Sequence, residues 1–475
     1  MSKALFSVRC SSFEWSTGNR QSAFFRAMLG MAMILVLGLI PAWVMAQDAI
    51  TLERACELAR QNSPQIHAQN YALEAAQAQL SEAKYYWTPK LNLKSQFGPM
   101  PKTRDIEDSE DDIWDHVGDS WGFTTRNYLE FWMPLFTSTK VYHTHELAKI
   151  GLHVEELRSE NEVLNVEYDV SRAFIGLQLA NAAQDVIKEA EGYVERIQKE
   201  YTELMEKEDS AVKETDQYRI DIAVANLLRL KNEINAKRDY AERALSVHTQ
   251  LKLPISVAEM NFDRDEQKLK SYDQILEIAH AHRGDLKLLE QAEAASFLEA
   301  KIQWLNWWPD LVLAGEVYYK YSNAVPKLNT DNFYIKDSYN GKGFALGFML
   351  KWELDPVRQV FKVRQADAKA ERMRAQRELA ISGIDLEVSE QYQKTANAQA
   401  NIDITYQSRR SAKRFLTQEL MAYESGEGNV NDLISSLTTY IEQRSMYLQA
   451  LHDYRVALVK LQKMTGAPET SMLVE

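Results

Sequence analysis

The sequence predicts a mainly α chain with a smaller β component: long antiparallel coiled-coil helices continuous with the strands of a 12-stranded β-barrel shared by three copies. Three observations predict it. Stretches of about 10 residues or more alternate apolar and polar with aromatic ends, a strand signature. Stretches of tens of residues repeat apolar positions at alternating spacings of three and four, a coiled-coil seam. The whole pattern occurs twice in one chain.

The 475 residues include 18 Gly and 11 Pro, too few for a long disordered or collagen-like chain. No series of apolar runs of about 20 residues exists, which excludes a polytopic helical membrane protein. A net charge of −13 speaks against nucleic acid as the main partner. Two cysteines cannot make a disulfide framework.

The first segment reads as an export address over 1–46. Lys3, Arg9, Arg20 and Arg26 precede an apolar run from Met28 to Met45, and Val44-Met45-Ala46 offers small residues for cleavage before Gln47. Met28 and Met31 are alternative starts, and an uncleaved anchor is the competing reading. Cleavage leaves Cys56 as a lone thiol in a context unlike a lipid-attachment site. The mature chain is expected outside a bacterial inner membrane.

Two units follow. The first, 47–265, is expected to hold a helix of about 25 residues, a strand over 87–97, a loop, a strand over 120–136 and two long helices. The second, 266–475, repeats that order with strands over 307–321 and 343–354. Trp87-Thr88-Pro89-Lys90-Leu91-Asn92-Leu93 returns as Trp307-Trp308-Pro309-Asp310-Leu311-Val312-Leu313.

In the second strand Trp121, Phe123, Leu129, Phe131 and Met133 share one face, and Gly122, Thr124, Arg126 and Glu130 the other. In the fourth, Phe344, Leu346, Phe348 and Leu350 oppose Gly347, Lys351 and Glu353. Such strands are long enough to cross a bilayer at a tilt. Trp87, Trp121, Trp132, Trp307, Trp308 and Trp352 near the strand ends suit the two membrane interfaces. An open sheet edge in lipid leaves backbone groups unpaired at several kcal/mol each, so a spanning sheet must close. Four strands cannot close alone. Two copies would give about 8 strands and a filled lumen, whereas three give 12 and room for a pore. The polar second face favours three.

From Val166 the helical seam runs through Val170, Ala173, Leu177, Ala180, Ile187, Ala190, Val194, Ile197 and Tyr201. In the last helix Leu433, Leu437, Tyr440, Tyr447, Leu451, Tyr454, Leu458 and Leu461 continue it, broken by Arg444. A helix from Thr139 to Leu204 would be about 100 Å long. A solvated spacer is the competing reading.

This layout resembles the TolC-like outer-membrane efflux proteins. The resemblance rests on the doubled unit, on Thr51-Leu52-Glu53-Arg54-Ala55-Cys56-Glu57-Leu58-Ala59 followed by Asn62-Ser63-Pro64, and on Trp87-Thr88-Pro89. It rests also on Tyr423-Glu424-Ser425-Gly426-Glu427-Gly428-Asn429-Val430-Asn431-Asp432 and the ending Leu461-Gln462-Lys463-Met464-Thr465-Gly466. It implies a homotrimer in outer-membrane lipid with an α-barrel in the periplasm. Transport would be passive, as the exit duct of a tripartite pump or type I secretion system, and partnered by a periplasmic adaptor and an inner-membrane pump. It also implies a gate at the hairpin tips. There Tyr423 and Gly426 match a turn motif, Asp432 matches an acidic position of the constriction, and Asp216 is its counterpart in the first half. Ser210 stands where glycine is expected, Gly428 where some members carry a tying arginine, and Glu427 where an apolar residue usually meets the adaptor.

Physics supplies its own expectations at that tip. Gly426 and Gly428 permit a left-handed turn. Asp432 in threefold repetition would form a carboxylate ring favouring cations, or it serves as the N-cap of the last helix. Pro101 to Ser120 is strongly acidic and reads as an external loop. Neither His143-Thr144-His145 nor His280-Ala281-His282 fits a zinc-helix motif, and no phosphate loop or nucleophile elbow appears, so no catalytic residue, metal or cofactor is expected. The other function readings are a non-conducting coiled-coil stalk and an envelope-spanning adaptor or binding protein.

Overall fold

The computed structural model describes residues 49–103, 117–206, 213–259, 268–325, 327, 337–425 and 427–474. The export segment, most of the acidic loop, Ser210 and Gly426 lie outside the described residues. Ile50–Glu475 forms one compact unit.

The elements run α1 (Leu52–Asn62), α2 (Pro64–Lys84), β1 (Lys90–Thr103), β2 (Val117–Phe136), α3 (Lys140–Glu206) and α4 (Glu214–Thr249). Then follow α5 (Tyr272–His282), α6 (Gly284–Leu305), β3 (Asp310–Ser322), β4 (Gly341–Lys351), α7 (Pro356–Glu424) and α8 (Val430–Thr465). A 3₁₀ turn, Thr470–Leu473, ends the described chain.

Each single helix expected ahead of the strands is two. Pro64 opens α2 at its first helical position, where its missing N–H costs nothing, and it forces Ser63 into extended backbone. The second half breaks at Arg283, also extended, without a proline. There the following Gly284 lies against α3: a Cβ would lie 2.1 Å from the Asn161 side-chain oxygen, which would have to turn aside.

The sheet is antiparallel in the order β1-β2-β3-β4. Its register sets Leu93 opposite Leu129, Leu129 opposite Val317 and Val317 opposite Phe344, one apolar row across all four strands. The next row holds Asn92, Glu130, Glu316 and Ala345. The two faces therefore differ in kind. Apolar side chains on the first are open: Phe97 is 75% exposed, Phe348 75% and Leu93 69%. β1 runs six residues past its expected end at Phe97, through Pro99 and Pro101. An edge strand tolerates proline, since the lost donor can point away from its one partner.

The helices form a layer in which α3 touches α4 and α8, and α8 touches α7. Where α8 lies between α3 and α7, that places α4 and α7 at the two edges; nearer the sheet α3 touches α2 and α6, and α6 touches α7, so the edges there are α2 and α7. The seam residues Val166, Val170, Leu177, Ile187, Ala190, Val194 and Ile197 of α3 are buried, as are Leu433, Leu437, Tyr440, Tyr447, Leu451 and Tyr454 of α8. Each buried aliphatic side chain contributes about 1.5–3 kcal/mol relative to exposure. Arg444, the polar break, is satisfied in place. It pairs with Glu189 of α3 and donates from Nη1 to Tyr440 Oη at 3.1 Å. Burial holds its guanidinium below the ordinary arginine range.

Candidate constriction and membrane-facing surfaces

The tip where α7 turns into α8 is built by its backbone. The N–H groups of Glu427 and Gly428 both donate to Ala422 O, at 3.0 and 2.9 Å, and Ser425 N–H donates to Met421 O at 3.0 Å. Gly428 does not use left-handed backbone, contrary to the expectation from sequence; among the described glycines only Gly466 does. It is required instead by proximity, because a Cβ there would lie 2.7 Å from the Tyr423 amide nitrogen. Glu427 is exposed on the outside of the turn.

Tyr423 points inward. It is 5% exposed and belongs to a core cluster that also holds Ile197 and Tyr201 of α3, Ile220 of α4, and Val430 and Leu433 of α8. Its hydroxyl is buried with no hydrogen-bond partner among the described residues. Burial, with the nearby Glu200 and Asp216 carboxylates and Tyr201, pushes the phenol up to about 12.

Asp432 is not the N-cap. Asn429 holds that position, its Oδ1 accepting from the Asp432 amide at 2.9 Å, and its Nδ2 donates to the Asp432 carboxylate. Asp432 is therefore the third helical residue, exposed, with its negative charge in the first turn where the helix dipole favours it. Asp216 occupies the same position of α4. It follows Lys213, whose backbone N–H donates to Asp216 Oδ2 at 3.1 Å. Unlike Asp432 it is buried, and Arg219 Nη1 lies 3.4 Å from its Oδ1. The structure thus joins Asp216 and Tyr423 in one cluster and leaves Asp432 outside it. Sequence reasoning missed Asn429, although Asn before an acidic first turn is a cap signal.

At the other end, Trp87, Trp307, Trp308 and Trp352 gather where the helices meet the strands, all exposed. Trp352 Nε1 donates to Trp307 O at 3.1 Å. Trp121, 68% exposed, stands at the far end of β2 on the apolar face. From Trp121 to Met133, β2 spans about 40 Å along the strand, or about 30 Å at a tilt near 45°, the thickness of a bilayer core. Trp132 differs from the others. It shares the polar face with Glu130 and lies under Lys90, whose Nζ is 5.6 Å from its ring centre.

Among the described residues, no helix is long and apolar enough to cross a membrane, and no group of three or more metal-ligating side chains occurs.

Residues 275–467 match the family model described as outer membrane efflux protein. No curated protein sequence matches the chain. Solved structures do. The Campylobacter jejuni CmeC outer membrane channel is 17% identical with a TM-score of 0.68, covering 88% of this chain and 87% of that one. The Vibrio cholerae outer membrane protein VceC is 16% identical with a TM-score of 0.65, covering 87% and 96%. The open state of the Neisseria gonorrhoeae MtrE outer membrane channel is 14% identical with a TM-score of 0.67, covering 87% and 88%. The similarity therefore runs through both halves of the fold, and the resemblance to TolC-like channels is borne out.

Proposed function

We propose that this chain, an outer membrane efflux protein by its second-half match and by its fold, forms with two identical copies a passive exit duct across the bacterial outer membrane. The single observation that supports this best is that one molecule ends in open edges in both of its layers. β1 and β4 are sheet edges. Among the helices, α4 and α7 carry exposed apolar residues opposite their buried stripes: Tyr218 and Ile222 beside buried Ile220, and Leu386 between buried Ile384 and Val388. Water disfavours those stripes, and lipid forbids those sheet edges. Three copies side by side satisfy both, with 12 strands around a lumen and the long helices as a periplasmic tube.

In this reading the two units, 47–265 and 266–475, are repeats that make the wall nearly sixfold. The apolar sheet face meets lipid, the tryptophans other than Trp132 mark its interfaces, and the polar face lines the lumen. The tips carry the constriction. Asp432, exposed, supplies a ring of three carboxylates, while Asp216 and Tyr423 brace the hairpins from within. Glu427 and Gly428, beside Gly426 and Ser210, belong to the surface that meets a periplasmic adaptor, and an inner-membrane pump drives transport. No bond is made or broken by the duct itself.

Planar-bilayer recording tests this. Purified protein inserts discrete ion-conducting units, and Asp432→Asn raises their conductance or weakens block by divalent cations. Outer-membrane trimers that carry no current would instead favour a non-conducting stalk. Unchanged currents in Asp432→Asn would remove that residue from the constriction.

A further inference from the structure

The polar face of the sheet is layered. Reading along the register, one row holds Gln96, Arg126, Lys320 and Gly341, the next holds Lys94, Tyr128, Tyr318 and Gly343, and a third holds Asn92, Glu130, Glu316 and Ala345. The cations in these rows are employed differently. Lys94 is committed to Glu130, its Nζ 2.6 Å from Oε1. Arg126 and Lys320 have no carboxylate in ion-pair range among the described residues, and both lie on aromatic rings instead. Lys320 Nζ is 5.5 Å from the centre of Tyr128 and 4.9 Å from that of Tyr318, and Arg126 Cζ is 5.0 Å from that of Tyr339. Tyr318 is held there by the absence of a side chain opposite, since a Cβ on Gly343 would fall within 2.4 Å of its ring.

A cation stacked on a ring keeps its N–H donors unspent, because the ring satisfies its charge from one side only. Two such cations side by side, with a glycine lane beside them on β4, make an oxyanion acceptor. We propose that Arg126 and Lys320 form an oxyanion-binding band on the lumen face, which engages small solutes bearing sulfonate, carboxylate or phosphate groups as they pass. The band rests on the channel reading for its threefold repetition, but each copy of the chain carries a complete cation pair. It has the opposite sign to the carboxylates at the hairpin tips.

The test uses the detergent-solubilised full chain and pyranine, a trisulfonated fluorophore, with fluorescence polarisation as readout and the mass from light scattering taken on the same samples. Wild type binds saturably, and inorganic phosphate competes. The Arg126→Gln, Lys320→Gln double variant binds about tenfold more weakly or worse, while Lys320→Arg, which keeps the charge and donors, retains binding. Should the double variant misfold, Lys320→Gln alone at a partly exposed site gives the same comparison. Absence of saturable binding in wild type, or equal affinity in the charge-removed variant, overturns the band. A monomeric mass with charge-dependent binding would overturn the shared barrel and leave the band standing; a trimer that ignores pyranine does the reverse.

Discussion

At the residue scale, Tyr423 and Gly428 explain each other. The tyrosine ring fills the gap between three helices at the tip, and the chain passes so close above its backbone that position 428 has no room for a methyl group. Gly428→Ala should therefore destabilise the tip by about 1–3 kcal/mol, the usual cost of forcing atoms into a packed site. Hydrogen exchange of the amides from Ala422 to Leu433 reads this directly, and unchanged protection would mean the backbone yields at no cost. Tyr423→Phe should do the opposite. Its hydroxyl is buried without a partner among the described residues, so removing it should leave the tip as stable or more stable by up to about 1 kcal/mol. A pH dependence follows with a definite sign. The phenol titrates at about 12 in the folded protein against about 10 in an open chain, so the neutral form is favoured by folding. The associated stability is present below about pH 10 and is lost as the pH rises toward about 12. Alkali should loosen the tip of wild type across that window and should not do so in Tyr423→Phe. A large loss of protection in Tyr423→Phe at neutral pH would show that the hydroxyl finds a partner in the assembled protein.

At the scale of elements, periodicity was a good guide and punctuation was not. The seam of α3 and α8 was legible because coiled-coil spacing is a direct consequence of which side faces a neighbour, and those residues are the buried ones. The strand faces were legible for the same reason at period two. The helix breaks were less so: Asn62-Ser63-Pro64 carries a proline signal, but the break at Arg283-Gly284 has no proline and lies against Asn161, more than a hundred residues away. Such long-range approach leaves no local mark. Likewise Asp432 as cap or as first-turn acid could be decided only by Asn429. The faces themselves make a prediction. Leu346 stands on the apolar face of β4, 56% exposed. Leu346→Arg should cost about 2–4 kcal/mol if that position sits near the bilayer midplane. The yield of protein refolded into lipid vesicles measures it. Full yield would mean the face turns toward the lumen.

At the scale of the whole molecule, the proposed trimer rests on how the protomer's layers end. Its helical layer ends on α4 and α7, and each edge helix is apolar on two sides, which a solvated edge does not require. Leu386 makes the case on α7. It lies two residues from both Ile384 and Val388, which are buried, yet it is 71% exposed. Leu379 and Ile404 on the same helix are 73% and 64% exposed, and Tyr218 and Ile222 on α4 are 61% and 62%. If α7 of one copy packs on α4 of the next, Leu386→Asp removes about 1.5–3 kcal/mol of apolar burial at each of three junctions and places a carboxylate there instead. The fold of each protomer should survive, because the substituted side chain is mostly exposed in the protomer. Detergent-solubilised wild type should show by light scattering three times the mass of the mature chain, and Leu386→Asp should shift toward one chain while keeping the helical circular-dichroism spectrum. A control on an exposed charged position of the same helix, Glu378→Gln, should leave the trimer intact. Loss of helical signal together with mass would locate Leu386 inside the protomer's own packing; an undiminished trimer would mean the copies meet along a different side, and the wall would have to be drawn again from the sheet edges alone.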